Sequence, residues 1–100
     1  MSFDLVNHKE VKNDIYEIKH FYKSKLIGLE KRFVSEVKKT TAFIAQNPLL
    51  FQKKYQNVRM ALTDVFPYGI YYHLNESKKV ITILGIFHTV RNPNQWRERI

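Results

Sequence analysis

The sequence predicts an α+β fold in which an antiparallel helical hairpin covers one face of a small antiparallel sheet. Three observations carry this. A short strand-like pair opens the chain, apolar residues then recur at helical spacing over two consecutive stretches, and three runs rich in Val, Ile, Tyr and Phe fill the second half.

Phe3 to Val6 is the first strand, and at His8 the apolar period changes. Val11, Ile15, Ile18 and Tyr22 recur at steps of four, three and four, with Lys12, Asp14, Glu17 and Lys19 on the other side, which predicts an amphipathic helix ending near Lys25. A second helix starts around Gly28, with Leu26, Leu29, Phe33, Val37, Thr40 and Ile44 on one stripe. Asn47-Pro48 ends it, because the residue before a proline disfavours helical dihedrals. The short connection makes the two helices an antiparallel pair.

After a basic linker, QKKYQN, the chemistry turns to strands at Val58 to Leu62, Phe66 to Leu74 and Val80 to Phe87, a three-stranded antiparallel meander. Asn92 and Pro93 then start a short terminal helix or turn carrying Trp96. The last strand is apolar on both alternating sets, with Leu84 and Ile86 on one, Ile83 and Phe87 on the other. A strand with one wet face alternates, so this one is either buried on both faces or presents an apolar docking groove to a partner.

With 100 residues the chain supports one core and one domain, residues 1–100. Lys and Arg number 17 against 9 Asp and Glu, a formal charge of +8 that favours polyanions or an acidic protein partner. There are no cysteines, which excludes disulfides and thiolate metal sites and fits a reducing cytoplasm. No signal-peptide pattern and no apolar run of roughly 18 residues appear, so no membrane role is expected. The histidines and carboxylates lack metal-ligand spacing, and the glycines, at 28, 69 and 85, form no phosphate loop. No metal or cofactor is expected.

Lys53, Lys54 and Arg59 lead into the sheet, while Arg91, Arg97 and Arg99 follow it, and a meander brings such ends together. Convergent cations beside planar groups suit phosphodiester recognition, although a charge run also serves simply as a solvated face. His88, at a strand end, is the candidate general acid or base. Trp96 is either an interface anchor or the residue that packs the tail on the sheet.

The stretches FPYGIYY and VITILGIFH, the tail pattern H-x-x-R-N-P-x-x-W-R-x-R, the LIGLEKRF start of the second helix and the element order together resemble the RelE/ParE superfamily of bacterial type II toxins. The resemblance implies an antitoxin partner in a hetero-oligomer, covering Leu84 and Ile86 or Ile83 and Phe87, and a toxin that inhibits growth as part of a plasmid-stabilisation module. It leaves two targets. RelE-like members are metal-free endoribonucleases that cut messenger RNA on the ribosome, for which His88 and Arg91 would be catalytic. ParE-like members poison DNA gyrase, with Lys53, Lys54, Arg59, Arg91, Trp96, Arg97 and Arg99 as target contacts. Gly69 stands in PYGIYY where many RelE-like nucleases carry an arginine, and the H-x-x-R-N-P ending is ParE-like, so the resemblance leans to the gyrase branch.

Overall fold

The computed structural model describes residues 3–91 and 94–100. The chain runs β1 (Asp4–Asn7), α1 (Val11–Lys25), α2 (Leu29–Gln46), β2 (Gln52–Tyr55), β3 (Val58–Leu62), β4 (Tyr68–Asn75) and β5 (Val80–His88), then a 3-10 helix, Gln95–Arg99. The expected Asn92-Pro93 start of the tail lies outside the described residues. The α+β architecture is the one the sequence predicts. The basic linker, however, is itself a strand: β2 pairs antiparallel with β3, and the sheet has five strands in the order β1-β5-β4-β3-β2. Polar QKKY carries no apolar alternation because β2 is an edge strand with all four residues exposed.

β1 pairs parallel with β5, Asp4 opposite Val80 and Asn7 opposite Ile83. The helical hairpin carries the chain from β1 at one edge of the sheet to β2 at the other, and the meander returns from β2 to β5. Gly28 makes its turn at φ 91°, a left-handed conformation that glycine adopts without the penalty a Cβ brings. Leu26 does not join the apolar stripe: it has already left helical geometry as the residue after α1 and is exposed. Of the other stripe residues, Phe33, Val37 and Ile44 are buried with Val11 and Ile18 of α1 against Ile70, Tyr72, Leu74, Ile81, Ile83 and Ile86 of the sheet, while Leu29 and Thr40 are half-buried.

The opposite sheet face is covered too, by the chain's own tail. Trp96 closes a second cluster with Val58, Met60, Tyr71, Leu84 and Phe87. A β-bulge explains why β5 reads as apolar on both sides. Tyr71 pairs with Gly85 but Tyr72 pairs with Ile83, leaving Leu84 as an extra residue. Simple alternation grouped Leu84 with Ile86 and Ile83 with Phe87. The bulge shifts the phase, so Ile83 and Ile86 face the helices while Leu84 and Phe87 face the tail.

Tyr72 is fully buried and its hydroxyl donates to the Pro48 carbonyl at 2.6 Å, tying the end of α2 to the sheet. Burial pushes its phenol up to about 12, against a smaller opposing pull from Arg59. The folded state thus favours the neutral phenol. Stability is fully present below the ordinary tyrosine value near 10 and falls by about 1.4 kcal/mol per pH unit from there towards 12. Urea unfolding across that range is expected to show the slope in the native chain and a shallower one in Tyr72→Phe, which itself costs about 1 kcal/mol at neutral pH.

Candidate functional site at the end of the last strand

β4 and β5 place Tyr68 directly opposite His88, and the two rings meet edge to face at 5.4 Å. Together with α1 and the tail they line a cleft of about 240 Å³ that gathers Asp14, Glu17, Phe21, Tyr68, His88, Arg91 and Gln95. Burial raises the phenols of Tyr22 and Tyr68 above the ordinary value, and the Arg91 charge draws both partly back. The neighbouring Tyr68 phenol adds to the rise at Tyr22.

His88 is held by its own backbone. The amides of Val90 and Arg91 both donate to Nδ1, each at 3.1 Å. With that lone pair engaged, the neutral ring carries its proton on Nε2. The ring therefore presents a hydrogen-bond donor to the cleft, and its basic nitrogen is turned into the β5 turn. Serving as a general base would require breaking both backbone contacts.

Of the remaining predicted cations, Arg99 reaches the wall of this cleft through Asp14, while Lys53, Lys54, Arg59 and Arg97 do not line it. Three strand spacings, roughly 14 Å, separate β2 from β5, which puts Lys53 and Lys54 on the far edge of the sheet. Arg59 donates to the carbonyls of Leu49 at 3.3 Å and Phe51 at 2.9 Å, fastening the loop that follows α2. Arg97 lies over the rings of Tyr55 at 5.1 Å and Trp96 at 4.7 Å, so the tail and β2 do meet, through aromatic stacking. Trp96 is 1% exposed and packs the tail on the sheet.

Arg99 is committed to structure. Its guanidinium grips the Asp14 carboxylate at 2.6 and 3.0 Å, donates to the Leu84 carbonyl at 3.1 Å and lies over the Phe87 ring. β1 ends opposite Ile83, leaving the β5 edge beyond it open. Asp14 and Arg99 fill that edge, and the Ile86 amide donates to Asp14 at 3.2 Å.

Sequence reasoning missed Tyr68, Glu17 and Gln95 as neighbours of His88. The first was findable by folding the two apolar runs about the Asn75 turn. The others depend on how α1 and the tail dock, which no local pattern encodes. Gly69 sits on the tail-facing side of β4, where a Cβ would come within 2.7 Å of the Met60 sulfur. A larger residue there would have to displace Met60 from the Trp96 cluster. Among the described residues, no three His, Asp or Glu side chains are grouped to hold a metal ion, and no helix is long and apolar enough to cross a membrane.

A strand, a crossover hairpin of helices and an antiparallel meander with a folded-back tail define the RelE/ParE class of small toxins. The fold is similar to a chain of the chromosomal ParDE toxin-antitoxin system from P. aeruginosa, at TM-score 0.72 and 19% identity over 86% of this chain and 95% of that one. It is also similar to a free-state arginine-to-alanine double mutant of E. coli toxin RelE, at TM-score 0.66 and 11% identity over 99% and 94%. The RelBE2 toxin-antitoxin complex from Mycobacterium tuberculosis gives 0.64 and 15% over 88% and 99%. No curated protein matches by sequence. The family described as the ParE toxin of the type II toxin-antitoxin system, parDE, matches residues 5–93, and the chain belongs to it.

Proposed function

We propose that this toxin acts by binding DNA gyrase rather than by cutting RNA, and that a cognate antitoxin protein neutralises it. The observation that carries the first part is the state of His88: its basic nitrogen accepts two backbone hydrogen bonds, so His88 is not a free general base beside Arg91. Metal-free RNA cleavage also needs several cations around the phosphate, and here Arg59 and Arg97 are engaged elsewhere while Arg99 is neutralised by Asp14. Family membership supports the same reading. Arg91, Lys53 and Lys54 remain as exposed charges for target contact.

A second reading has one observation in its favour, since His88, Tyr68, Arg91 and Gln95 do line one cleft. Brief induction in cells, with messenger RNA ends and gyrase cleavage complexes measured in parallel, separates the two. Stalled gyrase complexes with intact messages, and growth inhibition retained in His88→Ala, are expected. Codon-phased cleavage that disappears in His88→Ala would replace the gyrase reading with the ribosomal nuclease.

The ParDE and RelBE2 relatives come from toxin-antitoxin systems, which supports an antitoxin partner for this chain. Of the four β5 residues expected at that interface, Leu84 and Phe87 lie away from the helices, beneath Trp96. An antitoxin segment would reach them by taking the place of the tail, whereas Ile83 and Ile86 stay sealed under α1 and α2. Hydrogen exchange with and without the antitoxin should show changed protection along β3 to β5. No change in any of the three strands would remove this interface.

A further inference from the structure

The outer face of the helical hairpin carries a recess of about 420 Å³ that shares no residue with the His88 cleft. It is lined by Tyr16, Lys19, His20 and Lys23 from α1 and by Glu30 and Lys31 from α2. Its size falls in the roughly 300–1,000 Å³ range of small-molecule sites. Lys19 and Lys23 are one helical turn apart, and Lys31 joins them across the hairpin. Among the described residues the ion pairs are Lys39 with Asp64 and Arg99 with Asp14, so none of the three lysines is neutralised by a carboxylate.

Two further observations distinguish this recess from a solvated charged face. Tyr16 and His20 stack at 6.2 Å with an interplanar angle of 19°, and Tyr16 is 66% exposed, offering a planar surface beside the lysines. The Glu30 Oε1 atom is buried yet has no hydrogen-bond partner. A buried acceptor without a donor is costly unless a ligand or a water supplies one.

We propose that this recess binds a nucleoside phosphate unit, either within a single strand or free. Its phosphate lies against Lys19, Lys23 and Lys31, its base stacks on Tyr16, and an amino or hydroxyl group of the nucleoside donates to Glu30. Cations alone would suit any anion. The aromatic face and the unsatisfied acceptor are what select a nucleotide over a bare phosphate.

The test is fluorescence anisotropy of a labelled, mixed-sequence single-stranded oligonucleotide with the full chain. Tyr16→Ala is expected to weaken binding roughly five- to a hundredfold, with Tyr16→Phe restoring it. Replacing Lys19, Lys23 and Lys31 together by alanine is expected to reduce the salt dependence, as the slope of log affinity against log salt, by about 0.7, the value for one phosphate of a single strand. A control removing Lys12, Lys38 and Lys78, which are exposed elsewhere, should do neither. Equal losses in the two lysine triples, or Tyr16→Ala and Glu30→Gln both binding as the native chain does, would overturn the site. Competition by inorganic phosphate as effective as that by a nucleoside monophosphate would overturn the base contact. Effective competition by the monophosphate alone assigns the site to free nucleotides, and its failure to compete assigns it to strands; both support the site.

Discussion

Trp96→Ala is expected to lower the unfolding free energy by about 3–5 kcal/mol, a large share of the roughly 5–15 kcal/mol that holds a small domain together. The indole is almost wholly buried and stacks on Tyr71 at 6.0 Å with an interplanar angle of 15°. Among the described residues it is also the tail's one buried side chain in a cluster whose other members, Val58, Met60, Tyr71, Leu84 and Phe87, all come from the sheet. Removing it therefore does more than open a cavity, because it unroofs an apolar face. Urea unfolding should show the loss, and a dye that binds exposed apolar surface should brighten under native conditions. Trp96→Phe should retain most of the stability, since a ring still covers Tyr71. A loss under about 1 kcal/mol in Trp96→Ala would mean that the tail does not rest on the sheet in solution.

This second core shows where the sequence is legible and where it is not. The hairpin could be read from steps of three and four because α1 and α2 each bury one stripe, and the residues of that stripe, apart from Leu26, are where the period puts them. β5 also showed that neither of its faces is wet, which fits burial on both sides or an apolar groove. What the pattern could not give was which residue faces which way. A bulge at Leu84 is one extra residue, invisible to a period-two count, and it reverses the facing of everything after it.

The candidate site was legible in part for the same reason. His88 and Arg91 lie three residues apart at the end of one strand, so proximity followed from sequence alone. The other arginines were chosen by charge, but charge does not say whether a guanidinium reaches solvent, a carbonyl or a buried carboxylate. Arg59 reaches carbonyls eight and ten residues back, and Arg99 a carboxylate 85 residues away. β2 was hidden because an exposed edge strand made of QKKY has no apolar face to betray it.

The Asp14 and Arg99 pair should behave as a buried interaction, and this gives the other large effect. Their side chains are 11% and 12% exposed, and the contact is doubled, at 2.6 and 3.0 Å. Arg99→Ala is expected to cost about 3–5 kcal/mol, because it leaves a buried carboxylate with the Ile86 amide as its remaining donor. Asp14→Ala should be comparably damaging, since the guanidinium would keep the Leu84 carbonyl and lose its counter-charge. The double variant should cost clearly less than the sum of the singles, by a coupling of about 1–3 kcal/mol, because neither charge is then left alone. Added salt should leave that coupling nearly unchanged. Gly85→Ala offers an independent route to the same contact: its Cβ would fall 2.5 Å from the Arg99 Nη1 atom, and also 2.5 Å from the Phe87 ring. If the pair is what fastens the tail, Gly85→Ala should lose part of its effect in an Arg99→Ala background, the contact with Phe87 remaining. Additive single substitutions would show that the Asp14 and Arg99 pair does not fasten the tail, which would then be held by Trp96 and by Arg97 on Tyr55.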